Sequence, residues 1–248
     1  MIGVGVITFD REKQFHRIMQ SIKKVDHIVA VKDYGGPTYQ NAPIYDFVRM
    51  NQNRGVGACK NIAIQHLLGK GCEHIFLLED DCMVKDPKVW EYCIEFSKES
   101  GLLHFNWDDY RHSPFASAQF VTRMAILSHQ TEANFSYFHR DFLKDVRFDE
   151  KYINAWEHVD VMLQGHSKGF LPPFRVFISP ADLHKYLEVI DGGESTISGK
   201  DQHTERVIAG HHYFRDKWGK PINEMVPPTM DEFYEAMKAI TIKYGKRN

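Results

Sequence analysis

A short apolar run that ends in three carboxylates constrains the fold of this sequence most strongly. His74-Ile75-Phe76-Leu77-Leu78 is followed at once by Glu79-Asp80-Asp81. An unbroken apolar run of this length is typical of a strand covered on both faces, which is the usual environment of strands in a parallel sheet. We therefore expect a central strand over residues 74–78, with the acidic triplet at its carboxyl end.

Strands and helices alternate through the first hundred residues. Apolar runs predict strands at Val4–Phe9 and His27–Val31, and a shorter strand at Val48–Met50. Helical spacing of apolar residues follows the first strand, and a helix is predicted from Ala58 to Leu68. This alternation predicts an α/β fold with a mostly parallel sheet flanked by helices, whose ligands bind outside the carboxyl ends of the strands. A last helix is predicted from Met230 to Lys243.

Length and composition favour a single soluble domain. The chain has 248 residues, of which 43% are hydrophobic, and a formal net charge of −2. No global charge draws it toward nucleic acid or an anionic membrane. No apolar run reaches the roughly 20 residues of a membrane span, so we expect no integral membrane segment and a cytoplasmic location. The four cysteines are too widely spaced for a C-x-x-C knuckle and are expected to be reduced and structural.

The acidic triplet predicts a metal site. Adjacent carboxylates at the tip of a buried strand repel one another, and burying them is costly unless a cation lies between them. Mg²⁺ or Mn²⁺ is commonly held by one or two carboxylates together with phosphate oxygens at nucleotide sites. A solvated acidic turn is the alternative interpretation of the same residues.

The triplet resembles the motif of GT-A glycosyltransferases, in which D-x-D or E-D-D ends such a strand. Residues 78–84, Leu-Glu-Asp-Asp-Cys-Met-Val, look like the E-D-D segment of N-acetylglucosaminyltransferases that act on N-glycans. The resemblance implies a Rossmann-like GT-A fold over residues 1–248. Residues 1–100 would bind the nucleotide sugar, and residues 101–248 would bind the acceptor and supply catalysis. It also implies that Asp81 binds the metal and that Glu79 and Asp80 face the donor.

Upstream residues resemble the donor-binding segments of family 2 glycosyltransferases. Residues 53–61, Asn-Arg-Gly-Val-Gly-Ala-Cys-Lys-Asn, look like N-x-G-x-x-x-A-R-N, with lysine in place of arginine. Glycines before a helix expose backbone N–H groups to an anion, although a plain loop would explain the same pattern. Asp33 matches the acidic residue with which such folds often bind the nucleobase; the alternative is that Asp33 is only a turn residue. The resemblance thus implies these donor contacts: Thr8, Phe9, Arg11, Asp33, Asn53, Gly55 and Lys60.

A second acidic cluster resembles the family element that supplies the catalytic base. Residues 156–160, Trp-Glu-His-Val-Asp, look like the E-D-x-D or E-D-x-E motif that opens the helix beneath the acceptor, except that histidine stands where many members have aspartate. Glu157, His158 and Asp160 can each accept a proton at neutral pH, so all three are candidates for the base. An amphipathic helix start with acids favoured by the helix dipole is the alternative.

Histidines further along the chain are candidates for completing the metal site. The resemblance implies that His184 is the second metal ligand beside Asp81, with His211 or His212 in reserve. Residues 213–219, Tyr-Phe-Arg-Asp-Lys-Trp-Gly, look like the F-x-x-K-W-G ending of many family members. Within it, Arg215 and Lys217 are candidates for steadying phosphates.

Taken with the residues, the resemblance predicts a glycosyltransferase that uses Mn²⁺ or Mg²⁺. It would move a sugar from a nucleotide diphosphate donor, UDP-sugar by the family pattern, to an acceptor hydroxyl with inversion. A sugar-nucleotide nucleotidyltransferase and a non-catalytic sugar-binding module are the alternatives. The acceptor stays open among a glycan, a protein, a lipid-linked sugar and a modified nucleobase in DNA. Aromatic residues at 105–110 and 135–138 are candidates for stacking on it.

Overall fold

A computed structural model describes residues 1–34, 45–107, 117–121, 124–128, 133–153, 155–172, 178–190, 203–221, 224–225 and 228–245. Its strands are β1 Ile2–Thr8, β2 His27–Lys32, β3 Asp46–Arg49, β4 His74–Glu79, β5 Cys82–Val84, β6 His104–Trp107, β7 Ser117–Val121, β8 Met124–Ser128, β9 Phe135–His139, β10 Ile178–Pro180 and β11 Leu187–Val189. Its α-helices are α1 Glu12–Ser21, α2 Val56–Gly69, α3 Val89–Ser100, α4 Glu157–Ser167, α5 His203–Trp218 and α6 Met230–Tyr244. Single 3₁₀ turns occupy Phe142–Lys144 and Leu183–Lys185.

The central sheet has six strands in the order β3-β2-β1-β4-β9-β6. Strands β3, β2, β1 and β4 run parallel, whereas β9 is antiparallel to both β4 and β6. This arrangement confirms the predicted mostly parallel α/β sheet flanked by helices. Because β1 and β4 are neighbours in register, with Ile7 opposite Glu79, the loop after β1 meets the acidic triplet after β4.

The strand predicted at residues 74–78 is confirmed as β4, and the residues from Ile75 to Leu78 are buried. The predicted helices near residues 58–68 and 230–243 are confirmed as α2 and α6. A capping box, in which Thr229 and Glu232 satisfy each other's backbone N–H groups, fixes the start of α6.

Helix α2 packs on the sheet through a pair of glycines in β1. A Cβ added at Gly5 would lie only 2.8 Å from the Cβ of Ala63, and one added at Gly3 would lie 2.7 Å from the Cys72 sulfur. Larger residues would push the helix away from the sheet. This close approach brings the first turn of α2, with Lys60, over the carboxyl ends of the strands.

The aromatic residues of β6 and β9 belong to the core and do not face an acceptor. Phe105, Trp107, Phe135 and Phe138 are each at most 1% exposed. The expectation that they stack on a substrate was therefore wrong for these four residues, because both strands are covered on both faces. Residues 108–110 of the same expectation lie outside the described residues.

Smaller elements complete the described part of the chain. Strands β10, β8 and β7 form an antiparallel sheet, and β11 pairs antiparallel with β5. All four cysteines are free and buried, as expected of structural thiols. Among the described residues, no helix is long and apolar enough to cross a membrane.

Candidate functional site

The acidic triplet lies where β1 and β4 end side by side. Asp80 Oδ2 accepts hydrogen bonds from the Thr8 hydroxyl at 2.8 Å and from the Phe9 backbone N–H at 3.3 Å. Both donors come from the end of β1, and Thr8 and Asp80 are 3% and 8% exposed. One carboxylate therefore locks the first loop onto the tip of β4.

Arg11 is the cation that faces the two aspartates. Its Nη1 lies 3.4 Å from Asp80 Oδ1 and 3.3 Å from Asp81 Oδ2. The side-chain amide of Asn134 also donates to Asp81 Oδ1 at 3.0 Å. The backbone carbonyl of Asn134 accepts a hydrogen bond from the Glu79 backbone N–H at 2.9 Å. Asn134 precedes β9 and carries no motif, so the sequence did not single it out.

Both aspartates lie in surroundings that disfavour their charged forms. Burial raises the pKa of Asp80 to about 6, against the opposing effects of Arg11 and Thr8. Burial and the charge of Glu79 also raise the pKa of Asp81, although Arg11 and Asn134 oppose the shift. One arginine thus leaves the pair short of positive charge, and a divalent cation would relieve this deficit.

The donor set at this tip fits a hard divalent cation that keeps ligands from water and phosphate. Asp80 and Asp81 offer carboxylate oxygens, which Mg²⁺ and Mn²⁺ prefer. Within the described ranges, no group of three or more histidine, cysteine, aspartate or glutamate side chains could hold a metal ion. One or two carboxylates together with substrate phosphates are a common ligand set for these ions.

The structure does not bring His184 to the acidic tip. In the β5–β11 ladder, Val189 pairs with Cys82 and Leu187 with Val84, and the Ile190 N–H donates to the Asp81 carbonyl at 2.9 Å. His184 lies beyond the far end of this ladder, where its carbonyl accepts from Lys85 Nζ at 2.7 Å. The reserve residues lie on α5, where the His211 ring packs 5.4 Å from that of Trp156 and 6.0 Å from that of His212.

A second group of predicted donor residues lies at the ends of β1 and β2. The Asp33 N–H donates to the Thr8 carbonyl at 2.9 Å, and the buried Lys32 ammonium donates to the Phe9 carbonyl at 2.6 Å. The rings of Phe9 and Tyr34 are 5.2 Å apart. Asp33, Phe9 and Tyr34 therefore place one carboxylate and two aromatic rings beside the acidic tip.

The predicted donor loop before α2 packs against another loop. Gly55 has a φ of +84°, and a Cβ there would overlap the backbone of Ile153. Its N–H donates to Asn53 Oδ1 at 3.0 Å, while Val56 N–H donates to the Ile153 carbonyl at 3.3 Å. The loop containing Asn53 and Gly55 therefore packs against the loop around Ile153, which precedes the second acidic cluster at the start of α4.

Helix α4 begins at Glu157, after a residue in an unusual conformation. Trp156 has a φ of +75°, in the left-handed region that is uncommon outside glycine. Its indole N–H donates to the Val207 carbonyl at 3.3 Å, and its ring sits where a Cβ on Gly210 would lie 2.9 Å away. Helix α5 therefore holds the turn that aims Glu157.

Asp160 is fully buried, with all its oxygens engaged. Its Oδ1 accepts from the Trp218 indole at 2.9 Å and lies 2.8 Å from Lys217 Nζ, and its Oδ2 accepts from Gln164 at 2.6 Å. Lys217 and Trp218 belong to the K-W-G segment, and Lys217 also pairs with Asp149. These contacts tie α4 to the end of α5.

Lys60 joins the two acidic clusters. Its ammonium lies 2.8 Å from Glu79 Oε1, 2.6 Å from His158 Nε2 and 3.9 Å from Glu157 Oε1. It is only 1% exposed. The last residue of β4 and the first turn of α4 therefore meet around one buried cation.

No protein-family model and no curated protein sequence matches the chain. Among solved structures it is similar to S. aureus TarS, at 13% identity and a TM-score of 0.50, over 99% of this chain and 54% of that one. This chain shares its fold with TarS. It spans about half the length of that structure. The mannosyltransferase PcManGT from Pyrobaculum calidifontis, in complex with GDP-Man and Mn²⁺, aligns at 11% identity and a TM-score of 0.49, over 96% of this chain and 68% of that one.

The predicted residues fall into two groups. One group surrounds the tips of β1, β2 and β4 and the start of α4: Thr8, Phe9, Arg11, Asp33, Lys60, Glu79, Asp80, Asp81, Glu157 and His158. The other group makes packing or helix-joining contacts: Asn53, Gly55, Asp160 and His184.

Proposed function

We propose that this protein is a metal-dependent glycosyltransferase that transfers a sugar from a nucleotide diphosphate donor, a UDP-sugar, to an acceptor hydroxyl. The observation that carries the proposal is the meeting of two sites around Lys60. A charge-deficient pair of aspartates ends β4, and a separate carboxylate, Glu157, begins α4. A module that only bound sugar would need no such second carboxylate beside the first.

The donor half of the proposal spans residues 1–100. Asp33 and the rings of Phe9 and Tyr34 offer a hydrogen-bond acceptor and flat surfaces to the nucleobase. Arg11 lies beside the two aspartates, and its guanidinium would bind the diphosphate. Asp81, supported by Asp80, would hold Mn²⁺ or Mg²⁺. The bound cation would supply positive charge to the departing diphosphate.

The contacts of the three candidate bases favour Glu157. Asp160 already accepts three polar contacts and is fully buried. His158 Nε2 is 2.6 Å from the Lys60 ammonium. Glu157 keeps 10% of its side chain exposed, and its ion-pair distances to Lys60 and His158 are 3.9 and 3.8 Å, beyond a hydrogen bond. Its carboxylate therefore retains acceptor capacity.

In the proposed reaction, the acceptor hydroxyl gives its proton to Glu157 as its oxygen attacks the anomeric carbon. The bond from that carbon to the diphosphate oxygen breaks, and the electron pair leaves with the nucleoside diphosphate. A single displacement of this kind inverts the anomeric configuration. A product with retained configuration would contradict this step while leaving the donor site unaffected.

The test is turnover of a panel of nucleotide sugars in Mn²⁺ and in EDTA. We expect donor hydrolysis or transfer only with the metal, and we expect Asp81→Asn to abolish it. The control Asp231→Asn changes an exposed aspartate at the start of α6 and should keep full activity. Donor binding without turnover in the parent protein would favour a sugar-binding module. Release of pyrophosphate from a nucleoside triphosphate would favour a nucleotidyltransferase.

The base is tested with Glu157→Gln, which keeps the shape of the side chain. Loss of a general base lowers kcat by about 10²- to 10⁴-fold, and donor affinity should change little because the metal tip is intact. Glu235→Gln, on the exposed face of α6, is the control. Equal activity of Glu157→Gln and the parent would exclude Glu157 as the base.

A further inference from the structure

Lys60 has no direct route to a donor phosphate in this structure. A lysine ammonium carries three N–H groups and no acceptor. Those groups face Glu79 Oε1 at 2.8 Å, His158 Nε2 at 2.6 Å and Glu157 Oε1 at 3.9 Å. Glu79 and His158 are within hydrogen-bond distance of the ammonium, and with 1% of its side chain exposed Lys60 has almost no surface to offer a phosphate.

The contact with His158 fixes the state of its imidazole. Because the ammonium can only donate, a hydrogen bond over this 2.6 Å contact requires His158 Nε2 to accept, with the ring neutral and its proton on Nδ1. Burial and the positive charge of Lys60 lower the pKa of His158, against the carboxylates of Glu79 and Glu157, which raise it. The Nε2 lone pair is then unavailable to an acceptor hydroxyl.

The same ammonium separates two carboxylates from different elements. Glu79 Oε1 on β4 lies 2.8 Å from the ammonium and 3.8 Å from His158 Nε2, with 33% of the Glu79 side chain exposed. Glu157 lies on the first turn of α4, with its Oε1 3.9 Å from the ammonium. Without the cation, the carboxylates of Glu79 and Glu157 would each remain 3.8 Å from His158 Nε2, an arrangement that favours protonation of the ring.

We propose that Lys60 is a positioning residue that occupies the Nε2 lone pair of His158 and holds Glu79 and Glu157 in place, so that Glu157 accepts the proton of the acceptor. This inference rests on the proposed transferase function, and it assigns the sequence-predicted donor residue Lys60 a different role. Lys60 links the donor end of β4 to the catalytic end of α4 and contacts neither substrate.

The kinetic test compares Lys60→Met, Lys60→Arg and the control Lys144→Met. Lys144 is an exposed lysine that pairs only with Asp141 among the described residues. We expect Lys60→Met to lower kcat at least tenfold with donor KM within threefold of the parent, because misplacing a catalytic group by about 1 Å can cost 10²-fold. Lys60→Arg, which keeps the charge, should recover part of kcat. A large rise in donor KM at unchanged kcat would instead make Lys60 a phosphate ligand and overturn the proposal.

The pH profile gives a readout that a merely structural role would not change. The charged or titratable groups near His158 in the described part of the chain include Lys60 on α2, Glu79 on β4, Glu157 on α4 and His104 on β6. Removing the one cation leaves two carboxylates, so His158 should take up a proton more readily in Lys60→Met. We expect kcat of this variant to fall as pH drops through a histidine-like pKa, which adds an acid limb to its pH profile. The double variant Lys60→Met/His158→Gln should lack this acid limb. An unchanged acid limb in Lys60→Met would contradict the proposal.

An NMR measurement separates this inference from the proposed function. In protein labelled with ¹⁵N-histidine, the His158 signals are assigned by comparison with His158→Gln. In the parent protein we expect an unprotonated Nε2 and a protonated Nδ1 at neutral pH. A protonated Nε2 would overturn the proposal whether or not the protein has transferase activity. Because this measurement does not use Lys60→Met, it remains decisive even if that variant does not fold.

Discussion

At the scale of single residues, the tip of β4 combines burial with a deficit of positive charge. Asp80 has a folded pKa of about 6, whereas an unfolded aspartate has a pKa of about 4. The folded state therefore binds a proton between these values that the unfolded chain has released. The contribution of Asp80 to the stability of the metal-free protein therefore falls as pH rises from about 4 to about 6, and this loss persists at higher pH.

Asp80→Asn should stabilise the metal-free protein at pH 7. The variant removes a carboxylate whose ionised form is disfavoured in the folded state, and a shift of this size corresponds to on the order of 1–3 kcal/mol. Urea unfolding in EDTA at pH 7 and pH 4 measures the effect, which should be much smaller at pH 4. A variant less stable than the parent at pH 7 would show that the contacts of Asp80 with Thr8 and Arg11 outweigh its charge.

Comparing alanine substitutions at Gly55 and Gly71 separates the cost of backbone strain from the cost of steric overlap. Both have a positive φ, +84° and +86°, but only Gly55 meets other atoms, where a Cβ would overlap the Ile153 backbone. We expect Gly71→Ala to cost about 1 kcal/mol for conformation alone. Gly55→Ala adds displacement of the loop before α4 and should cost at least about 3 kcal/mol in chemical unfolding. Equal costs would mean that this loop yields easily.

At the scale of elements, α5 stabilises α4 through Asp160. Breaking a buried ion pair by removing one partner typically costs about 3–5 kcal/mol, and Lys217 is partly exposed, so we expect Lys217→Met to cost about 2–4 kcal/mol. Arg215→Met is the matched control, because Arg215 is exposed on the same helix and pairs with Asp216. Its effect should stay within about 0.5 kcal/mol. Thermal or urea unfolding measures both, and a neutral Lys217→Met would mean that Asp160 is satisfied without it.

The elements that the sequence predicted are those whose signal is local. The apolar run of β4, the glycine-punctuated α2 and the capped α6 are each visible within about fifteen residues of sequence. Strand β9 was not predicted as the antiparallel neighbour of β4, because all five of its residues are buried, including the polar Ser136 and His139, and a strand covered on both faces does not reveal its direction.

Site residues divide in the same way. The carboxylates at the strand ends were predictable because the fold places those ends together. Asn134 was not, since its bond to Asp81 depends on where β9 begins. The motif favoured Glu157 over Asp160 as the base because Glu157 heads it. The contact that engages Asp160 was not visible in the local sequence, because Trp218 lies 58 residues further along the chain.

At the scale of the whole molecule, donor and metal should bind together. In the proposed site, the cation relieves the deficit of positive charge at Asp80 and Asp81, and diphosphate oxygens complete the coordination of the cation. At 100 times its dissociation constant, a ligand of the folded state adds about 2.7 kcal/mol, or a Tm rise of about 5–10 °C for a chain of this size. We expect this shift with UDP-sugar plus Mn²⁺ and little shift with either alone. An equal shift without metal would place donor binding outside the acidic tip.

The reactivity of the buried cysteines reports local opening of the structure around them. All four thiols lie between residues 59 and 93, and the remainder of the chain has none. Burial raises the pKa of the Cys72 and Cys93 thiols, so a disulfide reagent such as DTNB reacts with them only after the surrounding structure opens. Labelling rates under native conditions then report openings of the segment from α2 to α3, and slower labelling with donor and Mn²⁺ would measure the protection of that segment without any enzymatic assay.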